Sequence, residues 1–229
     1  MAAFAAAADI GADGIEFDVH ATADGELVVH HDYLLNRTTT GSGLIHHRPW
    51  SYVRSLDAGS WFSSVDMGER VPRLSEVLSL NDLEFELELK GLTLEFMRDV
   101  VTAVRDADVL HRVEFTSWNT AMLLRLKAEN SDARIALFNR RRDAWMPEGF
   151  FEEQLVSAAD FGSFDVVHVF AADITDDAVV AIHARGMVAH ANDAASAVEV
   201  LRALRAGADR ISSDDVRLLV ESAAEAIGP

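Results

Sequence analysis

Short apolar, β-branched runs alternate along this chain with longer stretches of helical periodicity, and that alternation limits the possible folds more than any other feature. The strand-like runs fall at 14–22, 27–31, 85–90, 113–118, 134–139, 166–171, 187–192 and 210–214. Helical patterns occupy 93–108, 120–130, 176–185 and 194–206. Strand then helix, repeated, predicts a parallel α/β sheet rather than an all-β fold or a helical bundle. The first two runs are different. Only Ala23-Asp24-Gly25-Glu26 separates them, a glycine-containing turn, so they read as a hairpin.

Setting 27–31 aside leaves seven barrel-type strands, one short of a closed (β/α)8 barrel. The chain opens on a helical pattern at 4–10 instead of a strand, and an unclosed barrel would leave two bare edges. The expectation is therefore a TIM (β/α)8 barrel whose first strand is missing ahead of Met1. Residues 33–84 do not follow the alternation; they hold Arg37-Thr38-Thr39-Thr40-Gly41, the Trp61–Phe62 pair and a short helical pattern at 74–80. They read as an insertion on the top face, of the kind that shapes substrate pockets. With 229 residues and no shift in composition, one domain spanning 1–229 is expected.

The formal charge of −18 argues against a nucleic-acid partner, because phosphate backbones repel such a surface. It does not argue against a small phosphate ester, since a few cations or a bound metal reverse the potential inside one cleft. No apolar run approaches the roughly 18 residues of a membrane span. The alanine-rich start lacks the basic segment of a signal peptide, so a cytoplasmic location is expected. The absence of cysteine excludes thiolate metal sites and cysteine nucleophiles, leaving oxygen and imidazole as metal donors.

Glu16, Asp18 and His20 alternate along one strand and so share a face, with Ile15, Phe17 and Val19 on the other. Glu84, Glu86, Glu88 and Lys90 repeat the pattern on the next barrel strand. Carboxylates facing a barrel interior need a cation, and three oxygen donors plus water suit Mg²⁺ or Ca²⁺. His30 and His31 close the hairpin; alternation turns one toward the carboxylates and the other away. A histidine beside a metal-bound phosphodiester can protonate a leaving alkoxide. Lys90 can offset charge on a phosphoryl oxygen, pair with Glu88, or do both. His46, His47, His111, His168, His183 and His190 read as ordinary surface or core histidines.

The residues Gly11-Ala12-Asp13-Gly14-Ile15-Glu16-Phe17-Asp18-Val19-His20 and Thr22-Ala23-Asp24-Gly25 resemble the metal-binding block of the glycerophosphodiester phosphodiesterase family. The resemblance continues through Val28-Val29-His30-His31-Asp32, Asn36-Arg37-Thr38-Thr39, Val71-Pro72-Arg73-Leu74-Ser75-Glu76-Val77-Leu78 and Glu86-Leu87-Glu88-Leu89-Lys90. It closes on Gly207-Ala208-Asp209-Arg210-Ile211-Ser212-Ser213-Asp214. It implies a TIM barrel that uses Ca²⁺ or Mg²⁺ to cleave glycerophosphodiesters to glycerol 3-phosphate and an alcohol. It places metal ligands on Glu16, Asp18 and Glu88, the acid/base histidine on His31 and the phosphate-side lysine on Lys90. Trp61 in the insertion and Asn192 at the end of the seventh barrel strand are the further substrate contacts expected.

The sequence departs from the family pattern in three places. The family's opening His-Arg-Gly and Glu-Asn-Thr have no counterpart, so the second acid/base histidine is missing and catalysis by this chain as written is expected to be impaired. Where the family often has Trp-Thr-Val-Asn, Ala189-His190-Ala191-Asn192 stands here. Ser213 replaces the usual threonine before Asp214. The rival readings are a degenerate barrel that binds a phosphodiester or metal without turnover, and a related lipid phosphodiesterase of the sphingomyelinase D type.

Overall fold

The computed structural model describes residues 1–80, 83–147 and 149–227. Its elements are α1 (Ala2–Ile10), β1 (Gly14–Ala21), β2 (Leu27–Val29), α2 (Trp50–Val53), α3 (Leu74–Leu78), β3 (Glu84–Leu89), α4 (Leu94–Asp106), β4 (Val113–Thr116), α5 (Thr120–Glu129), β5 (Arg134–Leu137), α6 (Phe150–Asp160), β6 (Val166–Phe170), α7 (Asp176–His183), β7 (Val188–Asn192), α8 (Ala197–Ala206), β8 (Arg210–Ile211) and α9 (Val216–Ile227). The helix starts follow from local chemistry. Thr93, Asn119, Thr175 and Ser196 each precede a helix and accept a hydrogen bond from a backbone N–H of its first turn. Gly207 ends α8 at φ +82°, a conformation that costs glycine nothing.

The chain groups into two compact units, residues 1–9 with 13–115 and residues 10–12 with 116–229. In the first unit the strands run in the order β2-β1-β3-β4. β1 and β2 pair antiparallel, with Val19 opposite Val29 and Ala21 opposite Leu27, so the hairpin is as the sequence implied. Gly25, at φ +85°, makes its turn, and the Thr22 hydroxyl accepts from Glu26 N–H while donating to Asp24. β1 and β3 pair parallel over six positions. The core between them and the helices includes Phe4, Phe17 and Phe85, stacked edge to face at 6.0 and 5.9 Å.

The insertion belongs to this unit and has a core of its own. Leu35, Ile45, Val53, Leu56 and Val71 bury themselves around Val28 of β2, with Trp50 and Tyr52 packed against them. Pro72 accepts from Val29 N–H, and Arg73 bridges to Val28, so the insertion covers the free edge of the hairpin. Residues 81 and 82 of the predicted 33–84 segment lie outside the described residues. The second unit is a run of parallel strands, β5-β6-β7-β8, each joined to the next through a helix. Its helices α6 and α9 go beyond the helical patterns read from the sequence. Among the described residues no helix is long and apolar enough to cross a membrane.

Candidate active site

Register decides which acidic residues meet. In the β1–β3 pair Glu16 lies opposite Glu86 and Asp18 opposite Glu88, so alternation brings both rows to one face. One oxygen each from Glu16, Asp18 and Glu88 can be chosen so that all lie within 4.8 Å of one another. Asp18 and Glu88 are buried, whereas Glu16 is exposed at the mouth of the cluster. Burial raises the Glu88 pKa; the Lys90 ammonium pulls it back and the neighbouring Asp18 charge adds to the rise.

Lys90, just past the end of β3, sits inside this cluster with its side chain only 12% exposed. Its ammonium donates to Asp18 Oδ1 at 2.9 Å and Glu88 Oε1 at 2.7 Å. Burial works against the lysine charge, but the bonds to Glu88 and Asp18 outweigh it and raise the Lys90 pKa. An ammonium has three protons, so two bonds to carboxylates leave one for a phosphoryl oxygen. The pairing with Glu88 anticipated from sequence is present, and Asp18 joins it.

The two histidines that follow β2 differ in burial. His30 is buried; its N–H bonds the Asp18 carbonyl at 2.9 Å and its Nε2 lies 3.4 Å from the Leu34 carbonyl. Burial lowers its pKa. His31 has a side chain 68% exposed, and its Nδ1 lies 2.6 Å from Asp32 Oδ1. Its charge, when present, acts on Glu88. The exposed ring is the one that a substrate can reach.

Three supporting residues were not given roles from the sequence. His20, 2% exposed, shares the face of Asp18; its Nε2 lies 3.4 Å from the His31 carbonyl and its ring meets Tyr33 edge-on at 5.1 Å. Tyr33 donates its hydroxyl to the Lys90 carbonyl at 3.0 Å, tying the His31 loop to the end of β3. Arg37 binds Asp32. The Thr38-Thr39 neighbourhood of Arg37 was part of the resemblance, yet nothing local in the sequence says which carboxylate an arginine will find.

Trp61 is half exposed in the insertion, where its ring lies 6.0 Å from the Arg37 guanidinium. Asn192 is the last residue of β7 in the second unit, and its side-chain amide donates to Asp193 at 3.2 Å. Also in that unit, His168 and His190 are buried with ring centroids 4.2 Å apart.

The description "Glycerophosphoryl diester phosphodiesterase family" matches residues 1–218. A glycerophosphodiester phosphodiesterase of Caldanaerobacter subterraneus subsp. tengcongensis is 36% identical over 143 residues, 60% of this chain and 59% of that protein. The chain thus matches less than two thirds of that relative's length. Among solved structures, a glycerophosphodiester phosphodiesterase from Agrobacterium tumefaciens superposes with a TM-score of 0.81 at 23% identity, covering 96% of this chain and 91% of that one. An Oleispira antarctica phosphodiesterase, in complex with the product sn-glycerol-3-phosphate, gives 0.82 at 24% identity, covering 96% and 88%. These likenesses establish the α/β barrel fold class predicted from the alternation. With its family match running across almost its whole length, the chain belongs to the glycerophosphoryl diester phosphodiesterase family.

Proposed function

We propose that this protein hydrolyses glycerophosphodiesters to glycerol 3-phosphate and an alcohol, with a divalent cation held by Glu16, Asp18 and Glu88. The observation that carries the reading is the convergence of these three carboxylates beside the Lys90 ammonium. The donor set fits the ion: all-oxygen, anionic and open on the Glu16 side, as hard cations such as Ca²⁺ or Mg²⁺ require. A separation within 4.8 Å is compatible with oxygens sharing a Ca²⁺, about 4.6–5.2 Å across at twice the metal–oxygen distance. When bound, the ion supplies Lewis-acid polarisation of the phosphoryl oxygens.

The chain's own residues supply the rest. Lys90 offers its third N–H to a phosphoryl oxygen and stabilises the charge that grows there. His31, with Nδ1 engaged by Asp32, uses Nε2 to hand a proton to the departing alkoxide. Trp61, carried by the 33–84 insertion of the same unit as these residues, is assigned as a substrate contact. The test is release of glycerol 3-phosphate from glycerophosphocholine by the purified protein in Ca²⁺ or Mg²⁺. Release that stops with chelator and in Glu16→Ala is expected. Full release from Glu16→Ala, or none from the unsubstituted protein in either ion, would overturn the assignment.

A further inference from the structure

Arg37 touches none of the metal-site carboxylates, yet it grips the residue behind His31 with both arms of its guanidinium. Its Nε donates to Asp32 Oδ2 at 2.7 Å and its Nη2 to Asp32 Oδ1 at 2.7 Å. The second of these oxygens is the one that faces His31 Nδ1 at 2.6 Å. The Trp61 ring centroid lies 6.0 Å from the guanidinium carbon. A chain of contacts therefore runs from the insertion to the imidazole: Trp61, Arg37, Asp32, His31.

The geometry points to Arg37 as a positioning residue for the acid/base step. A carboxylate alone rotates about its last torsion and presents either oxygen, or neither, to a neighbouring ring. A planar two-pronged arginine contact fixes the plane of that carboxylate in a way one point charge does not. The same contact holds the Asp32 carboxyl well below its usual range, so it is an acceptor only. His31 Nδ1 must then carry the proton, which leaves Nε2 as the atom that exchanges protons with substrate. Without the fork, the exposed His31 ring is free to turn and to hold its proton on either nitrogen. The Trp61 ring lies over the guanidinium at 6.0 Å, which gives the insertion a part in holding it.

This assignment rests on the phosphodiesterase reading for its catalytic meaning but not for its structural content, and the experiment separates the two. Long-range nitrogen-15 NMR reads the tautomer of His31, identified by the signal that disappears in His31→Gln, with no substrate or metal present. The unsubstituted protein is expected to show one tautomer with the proton on Nδ1, and Arg37→Gln a mixture of both. In turnover of glycerophosphocholine, Arg37→Gln is expected to lower kcat by roughly 10- to 100-fold with KM little changed, as for losses of residues that orient a functional ligand. Arg37→Lys, which restores the charge but not the fork, should recover part of both effects. An unchanged Nδ1–H tautomer in Arg37→Gln overturns the proposal, as does a kcat within twofold of the unsubstituted protein. Absence of turnover in the unsubstituted protein would sink the proposed function and leave the tautomer result standing on its own.

Discussion

Lys90 is stabilised by what would otherwise repel. Asp18 and Glu88 are buried neighbouring carboxyls, and the Lys90 ammonium bonds to both. Lys90→Gln removes that cation and leaves two buried carboxylates facing each other. The metal-free protein is expected to lose a few kcal/mol of stability, the usual consequence of breaking a buried pair from one side. Adding Ca²⁺ should restore most of the loss, because an ion held by the same carboxylates again neutralises them. Thermal unfolding in chelator and in Ca²⁺ measures both. A variant equally destabilised in the two conditions would show that Lys90 acts on packing and not on the charge of this cluster. A second substitution, Glu88→Gln, keeps the shape and removes a ligand charge. Calorimetry should show divalent affinity reduced by at least about 100-fold, more than the loss of an outer partner causes.

At the scale of elements, the sequence showed the alternation of β1 and β3 directly, because period two needs only local information. Local information also placed the hairpin, whose turn residues are contiguous. It left open which carboxylates meet, since the pairing of Asp18 with Glu88 is a matter of register between strands whose partners lie 70 residues apart in sequence. The Arg37–Asp32 contact was hidden for a different reason: it is local, five residues apart, but lies in a loop that no periodic pattern governs. β2 and β8 proved shorter than their apolar runs: β2 stops at Val29 and β8 spans only Arg210–Ile211. The insertion looked irregular because its order comes from non-periodic contacts. Asp57 accepts from the N–H groups of Gly59, Ser60 and Gly68, and these bonds lower its pKa to about 2. That clamp closes the loop which presents Trp61. A Cβ at Gly59 would collide with the Asp66 carbonyl, a backbone atom that cannot step aside alone. Gly59→Ala is therefore expected to cost about 1–3 kcal/mol in urea unfolding. It should also move Trp61 away from Arg37, seen as a change in the emission that Trp61→Phe removes. Wild-type stability and emission in Gly59→Ala would mean that the loop is not held in this closed form.

For the molecule as a whole, several histidines buried in a neutral form set the response to acid. Burial lowers the pKa of His20 to about 4, lowers that of His30, and lowers that of His190 well below its ordinary value. Above pH 6.5 these rings are neutral whether the chain is folded or not, and they impose no penalty. Below 6.5 the unfolded chain binds protons that the folded chain refuses, so stability falls as pH drops toward 4. Each such histidine contributes a slope of up to about 1.4 kcal/mol per pH unit. Glu88 acts in the opposite sense, because its raised pKa lets the folded state take up a proton early, but it is one group against three. The carboxyls of Asp24, Asp32, Asp57 and Asp209 are all lowered, so the stability they add is lost as pH falls through the ordinary carboxylate range and below it, beneath this window. The net charge of −18 also repels itself less as acid is added, which favours the folded form. That effect is screened beyond about 8 Å at 0.15 M salt, whereas the buried rings are not reached by counterions. At that ionic strength and in chelator, the urea midpoint should therefore fall steadily between pH 7 and pH 5, and His190→Phe should flatten the decline. A midpoint that holds level or rises over this range would mean that surface charge, not buried imidazole, governs the acid response.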